Sequence, residues 1–400
     1  MAKKKASVVA NIQAELNLFI SESYGITQCE DAEVMETGVP PLDLILGGGI
    51  GLGKITLIVG RPGSGKSALC GNILGSAQKK YNGNCICMYL DSESTMSLDR
   101  LAQLGVRNPL VKPHQDIKVE DVFKVIDGIC NFKEQKKLTH MPTIIVWDSL
   151  ANTITEKEEK ALDPKEIIGW KARLLSFLIP KYTQKLVQNN ISLIIINQLK
   201  DKVDMSMFSS AANDELKYLR SGKTLPGGNA PRFAAFHLID LNDAATLKEE
   251  DWGFKGNLVR ATCVKNKLFP PNIEIDMAFD FTCGFVPHWS KFFVLKKENI
   301  VISSGKGWII PGHWEDKFQR KKFPKKYKED EAFRNAFEKA WDNYVTSIKE
   351  KFKVDIEEED IGEVKLTVKV DKKSNVDSLI KEAEDKTENK KGRKSETIDD

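Results

Sequence analysis

No apolar run approaches the ~18 residues that a membrane-crossing helix requires, so the chain is not expected to span a bilayer. The seven cysteines contain no CxxC pair, and the five histidines are dispersed with no metal-ligand spacing. Both residue types are therefore read as ordinary packing or surface residues. Cys85 and Cys87 alternate on an apolar strand pattern and read as small buried residues of a reducing cytoplasm. Charge of one sign is also lacking. Lysine plus arginine is 60 against 57 aspartate plus glutamate, a net charge of +3. Any nucleic-acid contact must then come from local patches rather than a basic surface overall. The N-terminus, Met1 to Lys5, is basic, but Asn11, Gln13 and Glu15 interrupt the apolar stretch that a secretory signal would need.

What is present is a foldable chain of 400 residues, 41% of them hydrophobic, enough for a large core. Val9, Ile12, Leu16, Phe19 and Ile20 recur at helical spacing. They predict a short amphipathic helix whose apolar stripe needs a partner, either its own domain or a neighbouring subunit. From about residue 35 to 285, nearly all-apolar runs alternate with helical or looped segments. The runs are Ile55–Gly60, Cys85–Asp91, Ile144–Asp148, Leu193–Asn197 and Phe236–Leu241. Such runs are expected of parallel strands covered on both faces, while Leu258–Lys265 and Ile273–Phe279 alternate more and suggest antiparallel edge strands. The expectation is an α/β core with a mostly parallel sheet. Residues 286–352 form a small C-terminal α/β domain in this reading, with Phe333, Phe337, Trp341, Tyr344, Ile348 and Phe352 at helical spacing. Residues 353–400 read as a charged, largely disordered tail.

Gly60-Arg61-Pro62-Gly63-Ser64-Gly65-Lys66-Ser67 fits the phosphate-loop pattern G-x-x-x-x-G-K-[ST] without mismatch. An apolar strand enters this loop and a helical segment beginning Ser67-Ala68 leaves it, as the pattern requires. Backbone N–H groups and the helix N-terminus would cradle phosphates. Lys66 would neutralise the β- and γ-phosphates, and Ser67 would offer its hydroxyl to Mg²⁺. Two further strand ends carry acids. Asp148 closes an apolar strand and is the expected second Mg²⁺ position. Asp91-Ser92-Glu93 closes another, with Glu93 the candidate to activate the attacking water and Asp91 a structural residue.

The order of these parts resembles RecA-family recombinases, and most resembles the UvsX-type branch from phages. The similarity is firm over about residues 35–285 and loose beyond. Thr37-Gly38-Val39-Pro40-Pro41-Leu42-Asp43 resembles the lead into the ATP loop, Leu90-Asp91-Ser92-Glu93 the strand end carrying the catalytic glutamate, and Trp147-Asp148-Ser149 the Walker B end. Ile194-Ile195-Ile196-Asn197-Gln198, a long polar loop and the Gly227-Gly228-Asn229-Ala230 return complete the similarity. It implies that Gln198 senses the γ-phosphate and connects it to a DNA-binding loop. It implies too that Lys265 and Lys267, in Val264-Lys265-Asn266-Lys267, reach the neighbouring subunit's ATP in trans.

The same resemblance places two DNA-facing loops at about Thr153–Ile168 and Leu199–Pro226. Candidate DNA contacts are Arg173, Lys200, Lys202, Met207, Phe208, Arg220 and Lys223, together with Gly227, Gly228, Asn229 and Arg232. Basic groups there would hold phosphates while an apolar side chain wedges between bases. Phe233 is read either as a further contact or as a core residue. Arg100 stands where the family often has an adenine-stacking aromatic, and its guanidinium plane can also stack on a base. The run KFQRKKFPKKYK at 317–328 mixes lysines with Phe318, Phe323 and Tyr327 and suggests capture of duplex DNA.

The resemblance thus implies an ATP- and Mg²⁺-dependent enzyme that forms filaments on single-stranded DNA and exchanges strands with homologous duplex. Its N-terminal segment (1–34) would polymerise the chain, and mediator and single-strand-binding proteins would be partners. The cytoplasm, or a host's cytoplasm for a phage-encoded chain, is the expected compartment. A hexameric helicase on the same fold, or an ATP-switched DNA-binding mediator without strand exchange, is the alternative.

Overall fold

A computed structural model describes residues 33–107, 113–114, 117–201 and 223–352, together with Leu16. In chain order Val34–Met35 (β1) pairs antiparallel with Ile50–Gly51 (β2). Then come Ile55–Gly60 (β3), Ile86–Asp91 (β4), Pro113–His114 (β5), Thr143–Asp148 (β6) and Ile191–Gln198 (β7). Lys200–Asp201 (β8) pairs with Lys223–Thr224 (β9). His237–Leu247 (β10), Gly256–Lys265 (β11), Ile273–Asp280 (β12) and Gly284–Phe285 (β13) follow, and Ile302–Ser304 (β14), Gly307–Ile310 (β15) and Trp314–Phe318 (β16) make a small antiparallel sheet.

The main sheet has the order β13-β12-β11-β10-β3-β7-β6-β4-β5. Strands β10, β3, β7, β6, β4 and β5 run parallel, and β11, β12 and β13 extend one edge antiparallel, as the patterning predicts. Strands β3 and β6 are buried at every position because helices cover both faces of the sheet. Alternation along β3 divides the core. Ile55, Leu57 and Val59 join the cluster that helices Val119–Lys136 and Trp170–Gln188 cover, while Ile58 faces the cluster under helices Pro40–Leu46, Lys66–Lys80 and Pro287–Lys297.

Residues 286–352 share that second cluster. Trp289, Phe292, Phe318, Phe323, Phe333 and Phe337 are all buried in it. This packing divides the basic run at 317–328 into buried aromatics and outward lysines. Phe318 closes β16 pointing inward, and Phe323 opens the helix Phe323–Glu329 in contact with Trp289 and Phe337. Tyr327 is half-buried, with its hydroxyl donating to Glu338. Phe318 and Phe323 are core and Tyr327 packs against it, and of the basic residues in the run Lys317, Lys321, Lys322, Lys325 and Lys328 are exposed. Among the described residues no helix is long and apolar enough to cross a membrane.

The segment Thr153–Ile168, expected as a loop, contains the helix Glu156–Lys160 and a 3-10 turn at Pro164–Ile167. Thr155 and Glu158 form a capping box, each side chain accepting from the other's backbone N–H. That Thr-x-x-Glu signature stands in the sequence.

Lys133 is fully buried, with its ammonium donating to Met141 O (2.6 Å), Thr143 Oγ1 (3.0 Å) and Asn189 O. Burial without a counter-charge lowers its pKa to about 8. The unfolded chain therefore holds the extra proton between about pH 8 and the normal lysine value near 10.5, so stability rises with pH across that window. Thermal melts of wild type and Lys133→Met from pH 7 to 10 should show this gain in the wild type alone. Orphaning three buried acceptors should also make the variant less stable at pH 10, by about 1–3 kcal/mol.

Candidate functional site

The sheet order sets the site. Strands β3, β7, β6 and β4 are successive parallel neighbours, so their C-terminal ends lie side by side. Gly60 is opposite Gln198, and Asp91 is opposite Asp148. Every loop leaving these ends faces one crevice.

The phosphate loop leaves β3 and enters the helix Lys66–Lys80. Gly65 sits before the helix at φ +86°, a left-handed conformation open to glycine, and turns the next N–H groups toward the crevice. Lys66 Nζ donates to Gly60 O (3.3 Å) and Arg61 O (2.7 Å), carbonyls of the loop itself. Burial pulls its pKa down, opposed by the carboxylates of Asp148 and Glu93. Ser64 Oγ is buried and unpartnered among the described residues.

Asp148 is almost wholly buried, which raises its pKa against the Ser67 and Tyr89 hydroxyls beside it. Tyr89 Oη donates to Asp148 Oδ2 at 2.6 Å. A hydroxyl and a carboxylate side by side at a phosphate loop are hard oxygen donors of the kind that suits Mg²⁺ shared with phosphates. Ser67 and Asp148 therefore fit that ion. Asp91 is fully buried and accepts the N–H groups of Glu93 (3.1 Å) and Met96 (2.8 Å), shaping the turn that carries Glu93.

Glu93 is half-buried. Its Oε1 accepts from Ser149 Oγ (2.6 Å), Asn152 Nδ2 (2.8 Å) and Gln198 Nε2 (3.0 Å). Lys66, Ser67, Glu93, Asp148, Gln198 and Arg100 thus line one cleft of about 350 Å³ with Pro62, Gly63, Gly65 and Ala68. Arg100 is pinned at its rim, Nη1 donating to Phe281 O (3.0 Å) and Thr282 O (2.7 Å).

Lys265 and Lys267 line no part of this cleft. Lys265 Nζ donates to Phe233 O (2.7 Å) and Arg232 O (3.1 Å), and Lys267 is exposed. Burial and the nearby Lys267 and Arg232 lower the Lys265 pKa.

The expected DNA-facing residues fall into three groups. Arg173 is exposed on the first turn of helix Trp170–Gln188, its guanidinium 5.7 Å from the Trp170 ring. The Gly227-Gly228-Asn229 return packs against that same turn. A Cβ at Gly228, where φ is +75°, would lie 2.8 Å from Ala172 Cβ. Arg232 stands over the ring of Phe233, which is 66% exposed and hence no core residue. Lys200 and Lys223 lie on β8 and β9. Lys202, Met207, Phe208 and Arg220 lie outside the described residues, as does nearly all of the N-terminal helix.

Tyr89 and Asn152 escaped sequence reasoning, while Ser149 and Asn197 stood in the matched motifs with no role assigned. Asn197 Nδ2 donates to Pro226 O (2.9 Å), tying the end of β7 to the far end of the second loop. The Asp-Ser pair after β6 signals Ser149, but no local signal marks Asn152.

A nine-stranded, mostly parallel sheet with a phosphate loop and acids on adjacent strand ends defines an α/β P-loop ATPase. Comparison narrows the class. The RecA N-terminal domain model matches residues 11–286. Protein RecA 2 of Myxococcus xanthus is 28% identical over 283 residues, 70% of this chain and 73% of that protein. Protein RecA of Helicobacter pylori strain P12 is 30% identical over 286 residues, 71% and 76% of the two chains. A mitochondrial DNA repair protein recA homolog of Dictyostelium discoideum is 30% identical over 256 residues, 64% and 52%. The chain belongs to the RecA family, whose members are DNA-dependent ATPases.

Truncating Lys66 to alanine removes an ammonium that lines the cleft at the phosphate loop while keeping the loop backbone. Titration calorimetry should show ATP affinity falling by about 100-fold or more, with the unfolding midpoint nearly unchanged.

Proposed function

We propose that this chain pairs and exchanges homologous DNA strands as an ATP-fuelled filament on single-stranded DNA. The observation that carries this reading is the bond from Gln198 to Glu93, on a strand end whose preceding residue, Asn197, holds the second loop at Pro226. A γ-phosphate that draws Gln198 toward itself would act on the candidate base and on the DNA loop together.

In this reading the loop N–H groups and Lys66 bind the β- and γ-phosphates, exchanging Lys66's contacts to Gly60 O and Arg61 O for phosphate oxygens. Ser67 and Asp148 hold Mg²⁺, which when bound neutralises charge on the phosphates. Glu93 takes a proton from water as that water attacks the γ-phosphorus and the bond to the β–γ bridging oxygen breaks. Lys265 and Lys267 act on the neighbouring subunit's nucleotide, so polymerisation completes the site. Arg173, the Gly227–Asn229 return, Arg232 and the second loop contact the strand, which base pairing alone reads for sequence. Exposed Lys317, Lys321, Lys322, Lys325 and Lys328 collect duplex by charge, without stacking.

The long, acid-containing second loop and the modest identity to bacterial members support the UvsX-type phage branch, and with it a host cytoplasm. Mediator and single-strand-binding proteins are the partners such a filament needs for loading.

Steady-state ATP hydrolysis should rise strongly on adding single-stranded DNA. Glu93→Gln should lower turnover by about 100-fold or more while retaining ATP and DNA binding. Electron microscopy with an ATP analogue should show helical filaments; closed rings would favour a hexameric motor. Changing Lys321, Lys322 and Lys325 to glutamate should weaken duplex capture by about 10-fold or more in a salt-dependent way, with single-strand-stimulated hydrolysis kept.

A further inference from the structure

We propose that Asn152 is a positioning residue that fixes the orientation of Glu93 and couples it to the first DNA-facing segment, Thr153–Ile168. The inference rests on the reading of Glu93 as the general base and of that segment as strand-facing.

Three donors converge on one oxygen. Ser149 Oγ, Asn152 Nδ2 and Gln198 Nε2 lie 2.6, 2.8 and 3.0 Å from Glu93 Oε1. Among the described residues no donor engages Oε2, which is left to receive a proton. A carboxylate oxygen offers about two lone pairs, so three donors exceed its capacity and one is readily released. Gln198 has the longest contact and is the amide proposed to turn to the γ-phosphate. Its departure leaves Ser149 and Asn152 matched to the two lone pairs. Glu93 then stays aimed through the part of the cycle in which aim decides the rate.

Ser149 and Asn152 belong to one turn but differ in mechanical connection. Ser149 is buried and held at the strand end, its N–H donating to Ser92 Oγ (3.0 Å) and its carbonyl accepting Thr153 Oγ1 (2.7 Å). Asn152 is exposed; its N–H donates to Ser149 O (3.2 Å), and its side chain reaches back to Glu93. Thr153 follows it directly and is locked by Trp147 Nε1 at 2.7 Å, and Thr155 caps the helix Glu156–Lys160 two residues on. The far side of that helix meets the start of the next, where Lys157 Nζ lies 4.4 Å from the ring of Trp170, three residues before Arg173. Ser149, Asn152 and Thr153 form one hydrogen-bonded turn, so a strand bound to this segment acts on the turn as a unit, and the Asn152 amide passes its displacement to Glu93 Oε1. The catalytic carboxylate thereby senses the first segment through Asn152 and the second loop through Gln198.

The test uses the full-length protein and four forms: wild type, Asn152→Ala, Asn152→Asp and Glu93→Gln. ATP turnover is measured with and without oligo-dT from pH 5.5 to 9, and oligo-dT affinity by fluorescence anisotropy. Asn152→Ala is expected to lower DNA-stimulated kcat by about 10-fold or more, with KM for ATP and oligo-dT affinity within about twofold of wild type. Asn152→Asp keeps the shape but replaces a donor by a carboxylate beside Glu93. Two such groups share a proton, so the acid limb of its kcat profile should move up by about one pH unit or more. The shifted limb establishes that residue 152 lies against Glu93, the loss of kcat at unchanged KM and oligo-dT affinity separates positioning from a merely structural role, and the isosteric variant keeps the test valid if the alanine variant folds poorly. Wild-type kcat in Asn152→Ala together with a wild-type pH profile in Asn152→Asp overturns the positioning role alone, provided that Glu93→Gln is inactive. Full activity in Glu93→Gln overturns the reading of the base and the positioning role with it.

Discussion

The parallel alignment of β3, β7, β6 and β4 is the constraint from which the rest of the site follows. Parallel register puts the four C-terminal ends at one level, so residues more than a hundred positions apart in the chain become neighbours. Glu93 and Gln198 meet at 3.0 Å for this reason and no other. The same alignment buries the strands on both faces, leaving their ends as the place where polar side chains converge on a ligand. Core and site are thus products of one hydrogen-bonding pattern.

Around that crevice the polar contacts form a chain rather than a set of independent groups. Asp91 shapes the turn of Glu93, and Glu93 gathers donors from the ends of β6 and β7. Asn197 ties the end of β7 to the second loop, and Lys265 ties the end of β11 to the helix bearing Arg232. The phosphate-loop crevice, the far end of the second loop and Lys265 are consequently held by short hydrogen bonds, several of them partly buried. Such bonds carry displacement well because breaking one strands a desolvated partner.

The segment 286–352 has a different logic. Its aromatics supply packing, and its lysines supply charge on the outer surface. In KFQRKKFPKKYK the two interleave in sequence but separate in space, since the end of a strand and a helix each turn one side inward. Composition alone leaves open which of these residues face outward; burial of Phe318 and Phe323 leaves an electrostatic surface.

The sequence by itself determined the phosphate loop, the parallel core strands, the antiparallel extension and the acids at strand ends. These are local: a glycine spacing, an apolar run and the residue closing it are contiguous, and their physics acts within a few positions. The capping box Thr155–Glu158 was equally local and legible. Only the tertiary structure decided that Asn152 reaches Glu93, that Tyr89 holds Asp148, and that Arg100 is spent on the carbonyls of Phe281 and Thr282. It also decided that Phe233 is exposed while Phe323 is buried. Each of these depends on which strand ends lie side by side, or on which helix face another element covers. No spacing within a single segment encodes either, because both are set by packing between segments distant in the chain.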